Sequence, residues 1–163
     1  MFLGESPKLH GTLPTELGGL SNLQILNLNW VDIDGPLPTE LGQLEMLVDL
    51  ELSWTSLTGT LPSEWKLLGN LKSLDVSASL QITGTVPSDY GLLTSLKYIE
   101  IWGTTLTGTV GPEVCALEFG SFIADCKGDQ LKCECCTECN LGTAVANSTD
   151  WDDASIYDKE TPP

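Results

Sequence analysis

Acidic and aromatic side chains recur along this chain at nearly constant spacing. Glu51, Asp75 and Glu100 lie 24 and 25 residues apart, and Trp30 and Trp54 lie 24 residues apart. A pair of carboxylates can perform the acid and base steps of glycoside hydrolysis. In a periodic sequence, however, paired carboxylates also arise from repetition alone. A row of acids beside aromatic rings is equally suited to binding a cationic partner.

Other catalytic constellations are missing from the sequence. His10 is the only histidine, so a serine or cysteine nucleophile has no imidazole partner within the periodic segment. The phosphate-binding motifs G-x-G-x-x-G and G-x-x-x-x-G-K-[ST] are also missing. We therefore expect a non-enzymatic protein with no catalytic residue, no metal site and no cofactor.

The charge balance narrows the class of partner. The 163 residues include 23 acidic and 7 basic side chains, every basic one a lysine, and the formal net charge is −16. Such a chain is repelled by phosphate backbones and anionic lipid, which disfavours nucleic-acid and membrane-surface roles. No apolar run reaches the roughly 18 to 20 residues that cross a bilayer, so we expect no direct membrane insertion.

The elements that position these side chains follow from an internal repeat. Its block reads L-x-G-x-L-P-x-E-L-G-x-L-x-x-L-x-x-L-x-L, and its marker glycines are Gly11, Gly35, Gly59, Gly84 and Gly108. Repeats of this length stack in one dimension, each burying its apolar side chains against its neighbours. In the last part of each block, apolar and polar residues alternate as in a strand with one buried face. Successive strands should pair in parallel about 4.8 Å apart.

The alternation predicts which strand positions point inward and which outward. The predicted inward columns are Leu26, Leu50, Leu74, Ile99 and Ile123, then Leu28, Leu52, Val76 and Ile101, after leading columns that begin at Leu20 and Leu23. The predicted outward columns are Ile25, Asp49, Ser73, Tyr98 and Phe122, then Asn27, Glu51, Asp75, Glu100 and Ala124, then Asn29, Ser53, Ser77 and Trp102.

A short helix is predicted after each proline of the block. A hydroxyl residue and then an acid follow these prolines, as in Thr15-Glu16, Thr39-Glu40, Ser63-Glu64 and Ser88-Asp89. A hydroxyl suits a helix cap, and an acid suits the positive end of the helix dipole. We therefore interpret this acidic ladder as helix capping rather than as a calcium site.

These units resemble plant-type leucine-rich repeats over about residues 10 to 126. The resemblance implies an α/β solenoid with a parallel sheet on its concave face and short helices or 3-10 turns on the other side. One departure is systematic: Val31, Thr55, Ser79 and Thr104 stand where that family has a buried asparagine. Threonine and serine can replace part of its hydrogen bonding, whereas valine cannot. The third unit has one extra residue, around Ser77 to Leu80, which we expect to bulge outward.

All six cysteines follow the repeats, at Cys115, Cys126, Cys133, Cys135, Cys136 and Cys139. Their spacing resembles the C-terminal cap of secreted leucine-rich repeat proteins of diatoms and related algae. A disulfide-rich cap would cover the open end of the stack, and fifteen pairings are possible. Zinc binding is the competing interpretation, but the two separate C-x2-C pairs of a zinc ribbon and a nearby histidine are missing. Disulfides indicate a secreted or endomembrane-lumenal protein, and Asn147 lies in an N-glycosylation triplet.

We therefore predict four segments. Residues 1–9 form an incomplete N-terminal edge, 10–114 hold four to five repeats, 115–140 form the cap, and 141–163 form an acidic tail. Trp151, Ile156 and Tyr157 leave open whether the tail is a linker or docks on a partner.

The predicted concave face carries the candidate binding site. Its residues are Trp30, Asp49, Glu51, Trp54, Asp75, Tyr98, Glu100 and Trp102. We expect them to bind a protein, in particular a basic one, or a glycan; the alternative is an ordinary solvated face.

Two further functions stay open. Leu13, Leu17 and Leu20 lack a preceding unit, so the chain could be a fragment of a longer receptor or a structural subunit whose neighbour covers that end. The T-G-T triplets at Gly59, Gly84 and Gly108 stack threonines as in ice-binding solenoids, although Asp34-Gly35-Pro36 interrupts the row.

Overall fold

The computed structural model describes residues 10–126 and 130–140. In these ranges the chain forms two extended parallel sheets, a row of short helices and a disulfide-bonded cap. The six-stranded sheet contains β2 (Ile25–Asn27), β4 (Asp49–Glu51), β6 (Ser73–Asp75), β8 (Tyr98–Glu100), β11 (Ser121–Asp125) and β13 (Glu138–Asn140), in that spatial order. We call the solvent side of this sheet the concave face.

The second sheet lies on another side of the stack. It contains β1 (His10–Thr12), β3 (Asp32–Pro36), β5 (Ser56–Thr60), β7 (Gln81–Gly84) and β9 (Thr105–Leu106). A separate pair joins β10 (Gly108–Thr109) to β12 (Leu131–Lys132). All described pairings are parallel because each repeat returns the chain to the same side before the next strand begins.

Leucines fill the space between the sheets and the helices. Leu26, Leu50, Leu74 and Ile99 occupy the centres of successive strands and are buried, as the alternation predicts. Leu20, also predicted to point inward, is 45% exposed, whereas the equivalent Leu44, Leu68 and Leu93 are fully buried. The difference arises because Leu20 belongs to the first described unit, and no earlier described unit packs against it.

Four 3-10 helices form the row behind the sheets. They are Thr15–Gly19, Thr39–Gln43, Ser63–Leu67 and Ser88–Leu92, and an α-helix, α1 (Pro112–Cys115), continues the row. The prediction of hydroxyl caps is wrong. The preceding proline occupies each cap position with no side-chain cap hydrogen bond, and the hydroxyl residue is already helical. The hydroxyls of Thr39 and Ser63 instead donate to the neighbouring glutamates.

Side-chain hydrogen bonds connect successive units of the helix row. Where the second unit has Leu41, the next two have Trp65 and Tyr90, and all three are buried. The Trp65 indole N–H donates to the carbonyl oxygen of Pro38 at 3.0 Å, and the Tyr90 hydroxyl donates to that of Pro62 at 3.1 Å. Each aromatic side chain therefore fills the core and gives the carbonyl at the start of the preceding helix a second donor, beside a backbone N–H of that helix.

Hydroxyl side chains replace the buried asparagines. The Thr55 hydroxyl donates to the Leu52 carbonyl at 2.9 Å and lies 3.0 Å from the Ser79 hydroxyl. The Thr104 hydroxyl donates to the Ile101 carbonyl at 2.7 Å. Val31 is buried and has no polar side chain to contribute. These contacts confirm the expected partial replacement of the asparagine hydrogen bonds.

The extra residue of the third unit is accommodated at the surface. Leu80 is 55% exposed, while Ser79 before it and Ile82 after it are fully buried. Parallel pairing continues on both sides of this bulge, so the stack is not interrupted, as expected.

The fifth strand has a different register from the one predicted. Ser121 lies opposite Tyr98, and Phe122 lies opposite Ile99, so Phe122 and Ala124 point inward and are fully buried. Ile123 takes the outward position that the sequence pattern assigned to Ala124. The turn from Ile99 to Phe122 is one residue shorter than the regular repeat. This register also lets the Phe122 ring pack edge-on against Phe119, at a centroid distance of 5.0 Å.

The cap extends the six-stranded sheet, forms the separate two-stranded pair and is joined to the stack by disulfides. The bonds are Cys115–Cys135, Cys126–Cys139 and Cys133–Cys136. Strand β13 pairs with β11, and β12 pairs with β10. The described cysteines therefore confirm the disulfide interpretation over zinc. Asn147 and residues 141–163 lie outside the described residues, as do residues 1–9. In the described part, no helix is long and apolar enough to cross a membrane.

Candidate recognition face

The concave face presents its exposed side chains in columns set by the strand register. The first column contains Ile25, Asp49, Ser73, Tyr98 and Ser121, and the second contains Asn27, Glu51, Asp75, Glu100, Ile123 and Glu138. Trp30, Trp54, Ala78 and Gly103 lie just beyond the ends of the strands. The structure therefore places the acids and the tryptophans singled out from the sequence on one side of the molecule.

Glu51 is the most constrained acid on this face. The side-chain amides of Asn27 and Asn29, both from the preceding unit, donate to the same carboxylate oxygen, and the Asn29 bond is 3.0 Å long. Burial raises the pKa of Glu51, and the nearby carboxylates of Asp75 and Asp49 raise it further. The two amide hydrogen bonds act in the opposite direction because they favour the charged form.

Asp75 and Glu100 continue the column, and each also has a local donor. The Ser77 backbone N–H donates to Asp75 at 2.8 Å, and the Trp102 indole N–H donates to Glu100 at 3.2 Å. Burial raises the pKa of Glu100, and Asp75 and Glu138 add to the effect. Asp75 and Glu100 are therefore each held by one local hydrogen bond, and the column concentrates negative charge.

The tryptophans form a compact aromatic group. The rings of Trp30 and Trp54 stack at a centroid distance of 4.3 Å with planes 10° apart, and Trp102 meets Trp54 edge-on at 6.2 Å. Trp30 and Trp54 adopt left-handed backbone conformations with φ of 61° and 56°. The equivalent positions in the next two units are held by Ala78 and Gly103, which also have positive φ. Trp30 is 42% exposed.

The indole N–H of Trp54 is buried and has no hydrogen-bond partner within the described ranges. A buried donor without an acceptor is unfavourable in a folded protein. This unpaired N–H and the left-handed backbone conformation both make Trp54 locally unfavourable for stability.

The remaining predicted residues flank these groups. Tyr98 is 52% exposed, and Asp49 is half-buried beside Ser73 in the first column. Sequence reasoning missed Asp125 and Glu138, since the first depends on the one-residue register change and the second on an unpredicted cap strand. The Gly103 backbone N–H donates to Asp125, whose pKa is raised by burial. The described residues contain no group of three His, Cys, Asp or Glu side chains arranged to hold a metal ion.

A second exposed surface lies on the five-stranded sheet. Thr60 lies opposite Thr83, and Thr83 lies opposite Thr105, so three neighbouring strands present threonine side by side. A Cβ added to Gly84 would lie only 2.8 Å from the γ-methyl of Thr60, so glycine provides the space that this methyl occupies. We call this surface the threonine face. It is separate from the concave face.

Solved structures with the same architecture include a plant receptor kinase ectodomain and a plant ice-binding protein. One is the LRR ectodomain of the plant membrane receptor kinase GASSHO1/SCHENGEN3 from Arabidopsis thaliana in complex with CASPARIAN STRIP INTEGRITY FACTOR 2, with 31% identity and a TM-score of 0.67 over 81% of this chain and 18% of that chain. A second is PEPR1-AtPEP1, with 32% identity and a TM-score of 0.66 over 72% of this chain and 17% of that chain. A third is a plant ice-binding protein, with 31% identity and a TM-score of 0.66 over 77% of this chain and 39% of that chain.

The chain therefore spans less than a fifth of the length of the first two of these chains. No protein-family model matches it, and no curated protein does. The likeness of its cysteine cap to algal proteins stays a prediction. The repeat period, the parallel sheets, the row of 3-10 helices and these structural neighbours together show that the chain is a leucine-rich repeat solenoid with a disulfide-bonded C-terminal cap.

Proposed function

We propose that this solenoid is a non-enzymatic recognition module that binds a protein partner through its concave face. The observation that carries the proposal is the column of Glu51, Asp75 and Glu100 beside the Trp30, Trp54 and Trp102 group. Aromatic side chains next to charged groups are typical of the anchors that dominate binding energy at protein interfaces. The negative charge of the column favours a partner with a basic surface.

Two observations support this proposal. The similar LRR ectodomain of GASSHO1/SCHENGEN3 forms a complex with CASPARIAN STRIP INTEGRITY FACTOR 2, which supports a binding role for this fold. The three disulfides of the cap fit an oxidising compartment, which supports an extracellular or endomembrane-lumenal location for the encounter.

A charge-neutralised variant tests the proposal. Changing Glu51, Asp75 and Glu100 to the corresponding amides should abolish retention of the partner that co-purifies from the native source, identified by mass spectrometry. Retention by the unmodified protein should fall as salt concentration rises, because screening weakens charge pairing between exposed groups.

The matched control removes three charges from the helix row, through Glu16→Gln, Glu40→Gln and Glu64→Gln. This control should retain the partner as the unmodified protein does. Equal retention by all three proteins would contradict the concave face as the binding surface.

A glycan is the alternative occupant of this face, because sugar rings stack on indoles and hydroxyls bond to carboxylates. Binding to a glycan array that is lost in the Trp54→Asn variant and insensitive to salt would favour the glycan over a basic protein. Salt-sensitive retention of a protein partner, with no array signal, would favour the proposal.

Assembly into a larger complex is a further alternative to free recognition. Leu20 is exposed at the first described unit, and β1 and β2 lie at the edges of their sheets. A neighbouring subunit that covers this end would produce a defined oligomer. Size-exclusion chromatography with light scattering distinguishes the two, because a free recognition module should elute as a monomer.

Ice binding is a second candidate function, favoured by the threonine face and by the likeness to a plant ice-binding protein. The side-by-side threonines present hydroxyls and methyls at regular intervals of about 4.8 Å. The Thr83→Tyr variant should then abolish thermal hysteresis, whereas Thr39→Tyr on the helix row should not. Absence of thermal hysteresis and of recrystallisation inhibition in the unmodified protein would exclude this function.

A further inference from the structure

Trp30 and Trp54 occupy a position at which a large side chain is costly. A left-handed backbone conformation costs a non-glycine residue on the order of 1 to 3 kcal/mol. The equivalent positions of the next two units hold Ala78 and Gly103, so the turn itself does not require an indole. The two tryptophans therefore serve something other than the turn.

The indoles follow the strands of the concave face, whose second column carries the carboxylates, and hydrogen bonds to these carboxylates lie at both ends of the group. At one end, Asn29 is next to Trp30 in the chain and donates to Glu51. At the other end, Trp102 contacts Trp54 and donates to Glu100. Asp75 lies between these two acids in the sheet register. A cation placed here would meet aromatic surface and negative charge together.

Within the described ranges, the carboxylates of Glu51, Asp75 and Glu100 each accept these hydrogen bonds through a single oxygen. A carboxylate fixed by one oxygen is oriented in advance, so binding through the other loses less conformational entropy.

Guanidinium is the cation that fits this combination. It is planar, stacks on aromatic faces and pairs with carboxylates through a rigid fork of donors, whereas ammonium is a strongly hydrated point charge. The present chain contains only lysines as basic residues, so a second copy cannot provide a guanidinium.

On the basis of the proposed function, we infer that the concave face binds an arginine side chain of an extended partner segment. The guanidinium packs against the Trp30 and Trp54 indoles and pairs with the carboxylates of Glu51 and Asp75. Charge complementarity between this face and the guanidinium selects this occupant over a neutral or acidic segment.

Matched peptides test the inference on the full chain. The probes are acetyl-Gly-Arg-Gly-Arg-Gly-amide and the same peptide with lysine or with citrulline, which keeps the arginine shape and loses its charge. Binding is followed by the NMR signals of the indole N–H groups. The buried Trp65 indole, which donates to Pro38, provides the internal control.

We expect the arginine peptide to shift the signals of Trp30, Trp54 and Trp102 but not that of Trp65. It should bind about two- to fivefold more tightly than the lysine peptide, the factor expected if only the guanidinium gains a stacked cation–π contact of about 0.5 to 1 kcal/mol. The citrulline peptide should cause no shift. Asp75→Asn should weaken arginine binding, and Asp34→Asn on the threonine face should not.

Equal binding of the arginine and citrulline peptides, equal binding of the arginine and lysine peptides, or no binding of the arginine peptide would overturn the inference. The proposed function is judged separately. If the native partner is lost from the charge-neutralised variant but is not displaced by the arginine peptide, the recognition function stands and the arginine inference fails.

Discussion

Replacing Trp54 with asparagine should leave the free energy of unfolding within about 1 kcal/mol of its original value, although a large aromatic side chain is removed. The contacts with Trp30 and Trp102 contribute roughly 0.5 to 1.5 kcal/mol each, and the partly buried ring adds about 1 kcal/mol more. Asparagine tolerates the left-handed conformation, so relief of backbone strain stabilises the variant by about 1 to 2 kcal/mol. Removing the buried indole N–H, which has no acceptor among the described residues, stabilises the variant by about 1 to 2 kcal/mol more.

Trp65→Phe provides the comparison, because Trp65 is fully buried and its N–H has an acceptor. The variant removes one of the two donors to the Pro38 carbonyl, leaving the Leu41 backbone N–H, and opens a small cavity in the core. We expect a loss of about 2 to 4 kcal/mol. Urea unfolding followed by circular dichroism measures both variants, provided that the m-value stays constant.

If Trp54→Asn lowered the free energy of unfolding by as much as Trp65→Phe, the expected near-neutral effect of Trp54→Asn would be refuted. The Trp30–Trp54 stack would then be part of the stabilising core. The near-neutral result, combined with lost partner retention, would show that the tryptophan is kept for binding at little gain in stability.

Three further outcomes follow from the structure. Because the pKa of Glu100 is raised above its ordinary value of 4.5, its contribution to stability is fully present below that value and is lost as pH rises through the higher folded pKa. The free energy of unfolding, measured with urea at several pH values, should therefore fall less steeply with rising pH in Glu100→Gln than in the unmodified protein. An identical fall in the two proteins would contradict this expectation. Tyr90→Phe should lower the free energy of unfolding by about 0.5 to 1.5 kcal/mol, since the Pro62 carbonyl loses one of its two donors and keeps the Trp65 backbone N–H; an unchanged urea midpoint would show that the hydroxyl bond contributes nothing. Gly84→Ala should be more destabilising than Gly59→Ala in thermal unfolding, because both have φ of 87° but only the first would place a Cβ against a threonine methyl; equal losses would mean that the methyl moves aside.

The architecture could be predicted because its signals are local and repeated. The alternation around Leu50 and Leu74 marks one buried side of each strand, and the recurrence of that pattern allows burial only against neighbouring copies. The same alternation places Glu51 and Asp75 in one outward column, which the register shows. Their role in binding is a proposal from chemistry rather than a consequence of the fold.

The helix caps and the last strand could not be predicted in this way. Prolines such as Pro38 occupy the N-cap positions, and the hydroxyl residues that were expected there, such as Thr39, are the first helical residues. The register of the fifth strand changed because Phe122 and Ala124 fill the core there. Both outcomes differ from the prediction by one residue along the chain. The repeat pattern locates helix starts and strand positions only to within about one residue, so it does not decide between the two neighbouring residues.

The sequence by itself determined a stack of repeats, a parallel sheet with an acidic column, and a cysteine-rich end. The tertiary structure alone decided that the indoles of Trp30 and Trp54 stack in left-handed turns, that amides of the preceding unit hold Glu51, and which cysteines are paired. The physical reason is separation along the chain. Alternation is a property of adjacent residues, whereas stacking, hydrogen bonding and pairing depend on the distance between groups brought together only when one repeat packs on the next.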